Sequence, residues 1–353
     1  MGDCTKNSNI IWQYKKGENY MSKYESTEIL PLKMVNSFER HYPGCWNIIG
    51  FKLVEIKNNA INYDRYLERV VGLLEKYNIQ DEEQLLAIFC MMLMAAVWRK
   101  NKQIFNFEQE ILKEFCNQKM SFDMSPEILE QLPYPCIYIA LDGFNGLNGI
   151  WVMKFSNDLG NKSLCLNLFT TYDGIEGYHL KGNDVSTIDD FIKSVFDDPK
   201  ILKRSKKEKR NLEEQLKMAL QCILYICAAN AEIEEDPIQK TRYRAPSSEE
   251  FIKDKVREVK KWNCGKKESK IIYSDFGSYP RIVTDMKENH IRNVKSSPKR
   301  CHVRRSHWHH YWTGSSKDGT RKMELRWISA MTIHKEEYEE ESPNLRINNV
   351  YAS

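Results

Sequence analysis

Among 353 residues and ten cysteines there is no Cys-x-x-Cys pair, which removes the usual structural-zinc and thioredoxin-type readings. Cys90, Cys136, Cys165, Cys222 and Cys227 all lie in apolar segments, where a free thiol behaves as a small hydrophobe. A disulfide framework belongs to short secreted chains, and this chain is long. The sequence also lacks an apolar run that would cross a bilayer. The longest, Leu85 to Trp98, would rise about 21 Å as a helix against the ~30 Å of a hydrocarbon core. The opening MGDCTKNSNI shows no basic region followed by an apolar one, and Lys6 stands where a myristoylation signal wants Ser or Thr. A cytoplasmic protein with no membrane partner is expected. Glycine-rich phosphate loops, nucleophile elbows, kinase loops, HExxH helices and internal repeats are all missing.

What is present is an ordinary folding composition, 41% hydrophobic and 29% charged, which excludes a bulk disordered or fibrous chain. The formal charge of +4 is uninformative until it is mapped. Residues 291–326 hold ten Lys and Arg against Asp318 and Glu324, a net of +8, and an acidic KEEYEEE follows. Charge is thus concentrated near the carboxyl end.

Periodicity divides the chain as follows. Residues 1–27 are a polar, flexible arm. Residues 28–130 read as mainly helical, with helices over YDRYLERVVGLLEKY, Glu82 to Lys100 and Phe105 to Asn117, although Trp46 to Lys57 carries strand-type residues. In residues 131–234, Pro133 and Pro135 stop helix formation and CIYIAL and GIWVMKF form a hairpin. SLCLNLFTTY and GYHL add strands, and two helices follow. Residues 235–250 form a linker, and 251–335 a basic aromatic module opening with a helix over SSEEFIKDKVREVKKW. Residues 336–353 are an acidic tail. The fold class is α+β: a helical N-terminal part, a central mainly antiparallel sheet with helices, and a C-terminal basic β module. The run KRSKKEKR, Lys203 to Arg210, is either a solvated connection or a second patch for phosphates.

The segment CHVRRSHWHHYWTG, residues 301–314, holds four histidines, two arginines, two tryptophans and a tyrosine. Four readings stand open. Trp308, Trp312 and Trp327 can be core anchors with the histidines bonded around them. Alternatively Arg304, Arg305, Lys317, Arg321, Lys322 and Arg326 attract phosphates while Trp308 and Trp312 stack on unpaired bases. Third, a zinc ion could sit among Cys301, His302, His307 and His309, with His310, Cys264 or His334 nearby. The spacing matches no structural site, and adjacent His309 and His310 point apart on a strand. Fourth, His307 and His309 share a strand face and could act as acid and base in RNA cleavage. The adjacent Asp189 and Asp190 diverge on a helix and read as surface charge.

The order HVRRSHWHHYWTGSSKDGTRKMELRWISAMTIH resembles the C-terminal signature of the second type V-A anti-CRISPR family, found on phages and other mobile genetic elements. LPYPCIYI and ALQCILYICAANAEI resemble family segments in matching order, so the likeness spans about residues 60–334. The resemblance implies an inhibitor of Cas12a immunity that recognises the nascent N-terminal polypeptide of its target and brings about degradation of the translating mRNA. Its partners would be that polypeptide and RNA or the ribosome, the former by strand addition to a sheet edge. No cofactor is implied. The other class kept open is a histidine-dependent ribonuclease acting directly on RNA.

Overall fold

In the computed structural model, Lys102 takes a left-handed backbone, φ 49°, and its N–H bonds the Trp98 carbonyl at 2.7 Å. A non-glycine residue held there is uncommon and costs about 1 kcal/mol or more. The effect is to turn the chain from a long helix directly into a strand, Gln103–Phe107. A helix running from Phe105 to Asn117 is thereby corrected: Phe105 and Phe107 are strand residues, and the helix is Gln109–Asn117.

The structure describes residues 12–14, 29–49, 56–57, 60–62, 72, 82–118, 122–156, 162–171, 174–181, 185–236, 259–266, 302–304, 306–329 and 331–333. They fall into two compact units. The first is drawn from Met1–Phe107, Ser121–Cys227 and Ile233–Cys264, the second from Glu108–Met120, Ala228–Glu232 and Gly265–Ser353. Expected features over 63–71, 73–80, 237–258 and 334–353 lie outside the described residues.

The first unit is built on a ten-stranded mixed sheet. Its strands are β1 (Trp12–Tyr14), β2 (Ile56–Lys57), β3 (Ala60–Asn62), β4 (Gln103–Phe107) and β5 (Cys136–Ala140), then β6 (Leu147–Ser156), β7 (Lys162–Thr170), β8 (Ile175–Lys181), β9 (Ile233–Glu235) and β10 (Lys260–Cys264). The spatial order is β1-β8-β7-β6-β5-β4-β10-β9, with β3 joining the end of β6 and β2 pairing β3. The run β5 to β8 is antiparallel, as the hairpin reading requires, but β4 pairs parallel to both β5 and β10. The sheet therefore takes in strands from outside residues 131–234.

Tertiary pairing accounts for two further differences from the sequence. Lys260, Lys261 and Trp262 end a helical pattern in the sequence, yet they form β10, where Trp262 stacks on Phe105 (6.2 Å, 19°) and donates its indole N–H to Gln103 Oε1 at 2.6 Å. Trp46 to Ile49, with strand-type residues, belongs to a short helix, Cys45–Ile49, because Cys45, Trp46 and Ile49 all turn into the core. Composition alone does not separate a short buried helix from a strand.

Both faces of the sheet are covered, which is why its central strands are nearly continuous apolar runs. On one face lie α1 (Leu30–His41), α2 (Cys45–Ile49) and α3 (Glu82–Asn101), packing on Tyr138, Trp151 and Phe169. α3 is buried at every position from Met91 to Trp98, as a helix enclosed on all sides must be. Trp98 approaches Trp151 at 6.4 Å, and Trp151 meets Phe169 edge-on at 5.4 Å. On the opposite face, α7 (Lys206–Cys227) brings Tyr225 edge-on to Phe107 at 5.6 Å. Its stripe of Leu212, Leu216, Ala219, Leu220, Ile223, Leu224 and Cys227 is fully core.

Between them come α5 (Ile188–Phe196) and α6 (Pro199–Leu202). α5 opens with a reciprocal cap in which Thr187 Oγ1 accepts from Asp190 N–H at 3.0 Å and Asp190 Oδ2 accepts from Thr187 N–H at 3.1 Å. This bonding holds the Asp190 carboxyl below its usual range. Asp189 and Asp190 both face Lys193, at 2.9 and 3.6 Å, so they are helix-surface charge. No helix of the described residues is long and apolar enough to cross a membrane.

Gly149 sits at the β-bulge of the β5–β6–β7 region, where an added Cβ would lie 2.1 Å from Tyr138 Oη and 2.6 Å from the Ile139 carbonyl. Gly149→Ala is expected to destabilise the first unit by about 1–3 kcal/mol, the usual range for overpacking. Urea unfolding followed by circular dichroism checks it: the midpoint falls, whereas Gly72→Ala, helical and with nothing within 4 Å of its Cβ, holds or raises it.

Candidate nucleic-acid interface

The second unit contains α4 (Gln109–Asn117), the hairpin β12 (His307–Thr313) with β13 (Lys322–Ile328), and the short pair β11 (His302–Arg304) with β14 (Met331–Ile333). α4 buries Ile111, Leu112 and Phe115, the face its periodicity marks. The hairpin register sets Trp308 opposite Trp327, His310 opposite Leu325 and Trp312 opposite Met323. Alternation then puts Trp308, His310 and Trp312 on one face and His307, His309 and Tyr311 on the other.

The first of these faces is divided along its length. Near α4, Trp308 and Trp327 lie edge-on at 4.9 Å, Phe115 stacks near Trp308 at 6.3 Å and meets Trp327 edge-on at 5.1 Å. Trp327 is 1% exposed. Polar clamps hold the arrangement. Asn230 Nδ2 donates to the Trp327 carbonyl at 2.6 Å and Asn230 Oδ1 accepts from Trp327 N–H at 2.9 Å. Buried Ser306 donates to Glu114 Oε2 at 2.5 Å, and Gln118 Nε2 donates to the Ser306 carbonyl at 2.8 Å. Trp308 and Trp327 therefore fasten the hairpin to α4.

Farther along the same face Trp312 is 62% exposed. The Arg321 guanidinium lies 4.6 Å over its ring. On the other face the Arg326 guanidinium lies 5.1 Å over Tyr311, and Tyr311 is 4.3 Å from His309. Arg326 also pairs with Glu324 at 2.6 Å. The connecting turn needs glycine at Gly314, φ 80°, where a Cβ would meet the Thr320 carbonyl at 2.2 Å. Asp318 accepts from Thr320 N–H at 3.0 Å and from Thr320 Oγ1 at 2.6 Å, and its carboxyl is held low by those bonds. Its charge serves the turn. Lys317, Arg321 and Lys322 are exposed around it.

The remaining sequence candidates are distributed as follows. Arg304 contributes backbone to β11 opposite Met331, while its side chain, Arg305, Cys301 and the side chain of His302 lie outside the described residues. Among the described residues no three His, Cys, Asp or Glu side chains are grouped to hold a metal. His307 and His309 share the hairpin's outer face by register. The residues that sequence reasoning missed are Phe115, Glu114, Gln118, Asn230 and Ser306, which position the hairpin. Only the apolar face of α4 signalled any of them, and nothing local pairs residue 115 with residue 308.

Two expectations follow for the hairpin. Phe115→Ala removes the ring between two indoles and is expected to cost about 3–5 kcal/mol, the usual range for deleting a buried aromatic. It would appear as a loss of near-ultraviolet circular dichroism with far-ultraviolet signal largely kept. The His310 imidazole is held below its usual value, first by partial burial and then by neighbouring His309. A base whose folded pKa is depressed favours the neutral form, so hairpin stability is complete above the ordinary imidazole range and declines as pH falls through it. Imidazole shifts followed by nuclear magnetic resonance should place the His310 midpoint below about 6.5, and His309→Gln should return it only partway.

Residues 105–335 match the family model described as AcrVA2-like, the anti-CRISPR type V subtype A2 family. The matching region runs from β4 through the hairpin and β14. Solved structures that match include one described as "Crystal structure of AcrVA2", with a TM-score of 0.58 at 14% identity, covering 87% of this chain and 100% of that one. At that identity the likeness concerns the fold. No curated protein sequence matches.

Proposed function

The chain belongs to the anti-CRISPR type V subtype A2 family, and on that premise we propose that it recognises a nascent polypeptide of Cas12a type and lowers the corresponding message during translation, with the hairpin β12–β13 contacting RNA or the ribosome. The observation that carries the RNA contact is the exposed Trp312 with the Arg321 guanidinium over its ring. An exposed indole offers an apolar face on which a base can stack, and a guanidinium 4.6 Å from its ring centre places a cation beside it for a phosphate. Lys317 and Lys322 extend the cationic surface, Arg326 lies over Tyr311 on the other face with Glu324 as its ion-pair partner, and Trp308 anchors the strand. Arg304 and Arg305 continue the basic run in the sequence just before it.

The polypeptide contact is supported by the sheet edges. Trp12–Tyr14 lies antiparallel along Ile175–Gly177, so the β8 edge has the geometry to take an extended segment. The opposite edge strand carries exposed Glu234 and Glu235, the kind of charge that discourages pairing.

Trp312→Ala is expected to weaken retention of single-stranded RNA by about 1–3 kcal/mol, the value of one base stack, while the fold is unchanged. In cells, the Cas12a message should fall when the protein is expressed, and synonymous recoding of its first codons should leave that fall intact whereas changing the encoded residues abolishes it. Ribosome profiling reads both. Purified protein that cuts labelled RNA, and stops doing so in His307→Ala, would replace this reading with a ribonuclease.

A further inference from the structure

The run Lys203–Arg210 carries six cations against Glu208 alone, and the reading above makes no use of it. α7 begins at Lys206, but its first buried residue is Leu212. Residues 206–211 are all partly or fully exposed. The helix end is held instead by a reciprocal cap, in which Ser205 Oγ accepts from Glu208 N–H at 3.2 Å and Glu208 Oε2 accepts from Ser205 N–H at 2.8 Å. That bonding lowers the Glu208 carboxyl and commits its charge to the cap.

Lysines at the start of a helix oppose the positive end of its dipole. Here three of them, Lys206, Lys207 and Lys209, occupy the first turn, with Lys203 just before it. No core contact is gained in return, and a local rule broken without a packing reason marks a functional surface. The arginines of the run are already engaged: Arg204 pairs with Glu176 at 3.2 Å and Arg210 with Glu214 at 3.0 Å. Lys203, Lys206, Lys207 and Lys209 make no ion pair among the described residues.

We propose that Lys203, Lys206, Lys207 and Lys209 form a docking surface for the phosphate backbone of double-helical RNA, distinct from the aromatic hairpin and independent of its reading. The chemistry of the patch selects this partner. From Pro199 to Arg210 there is no aromatic side chain, so unpaired bases find nothing to stack on. Ammonium groups on flexible stems are point charges suited to phosphates, and an RNA duplex is recognised through its shape and backbone. The cap takes up the Glu208 amide, and the four ammonium groups are what the surface offers. An anionic lipid surface would require an apolar face beside the cations, and Leu202 is the sole large exposed hydrophobic among the described residues there.

The test uses the full chain with all four lysines changed to glutamine, and separately with Trp312→Ala and Arg321→Gln together. Probes are an RNA duplex of roughly 16 base pairs, a single strand of one of its sequences, and phosphatidylglycerol vesicles. In the four-glutamine variant, affinity for the duplex should fall about tenfold or more, and the salt dependence of log K should become shallower by about 3. Its melting temperature should stay the same or rise, because cations leave the positive helix end. The hairpin variant should keep duplex binding, so a failed hairpin and a failed patch are told apart. Unchanged duplex affinity and salt slope in the four-glutamine variant overturn the proposal, as does a variant that loses vesicle binding while retaining the duplex. If the quadruple variant melts lower, Lys206→Gln with Lys207→Gln repeats the comparison, and an unchanged salt slope there overturns the proposal equally.

Discussion

The parallel pairing of Gln103–Phe107 on both its edges is the constraint from which the remainder of the molecule follows. A strand paired on both sides and covered on both faces satisfies its backbone groups within the sheet and favours apolar side chains, with a buried polar one such as Gln103 needing its own partner. The left-handed Lys102 delivers the chain into it from α3, and Phe105, Phe107 and Ile104 fill the two faces. Residues more than 150 positions later are drawn in through β10, where the Trp262 indole bonds Gln103. The chain then leaves the strand at Phe107 and begins α4 two residues later, in the other unit. One short segment thereby links a central strand to the helix that seats the aromatic hairpin.

Within that hairpin, residues of the same chemical type have opposite roles because of where α4 ends. Trp308 and Trp327 have Phe115 against them and act as structural anchors. Trp312, on the same face four residues along, has no such neighbour and carries a guanidinium over its exposed ring. Alternation places the histidines likewise: His310 faces the partly covered side and His309 the open one beside Tyr311. Burial disfavours the charged imidazole at His310, so a segment dense in titratable rings need not be uniformly charged.

The two cationic surfaces are of different kinds. In the hairpin two arginines lie over rings, Arg321 over Trp312 and Arg326 over Tyr311, with Lys317 and Lys322 near a turn whose carboxylate is consumed by its own backbone. At the start of α7 they are lysines with no ion pair among the described residues, ahead of the first buried residue of the helix, Leu212. Planar stacked groups suit flat bases, while flexible ammonium groups suit a phosphate backbone of any sequence. Arg204 marks the boundary of the second surface, since its guanidinium turns inward to Glu176, which also accepts the Tyr178 hydroxyl.

Periodicity and composition were sufficient for α3, α7, the β5–β6 hairpin, β7, β8 and the apolar face of α4, because in each the local pattern and the final environment agree. They were also sufficient to single out the arginines, lysines and rings of residues 301–326, whose order carries the resemblance to the family. Tertiary structure alone decided that Phe105 belongs to a strand, that Lys260–Trp262 is β10 and that Trp46 sits in a helix. It alone separated Trp312 from Trp308. The physical reason is the same in each case: a short apolar or aromatic stretch has no preferred element or exposure of its own, and takes both from partners distant in the chain, which no local pattern encodes.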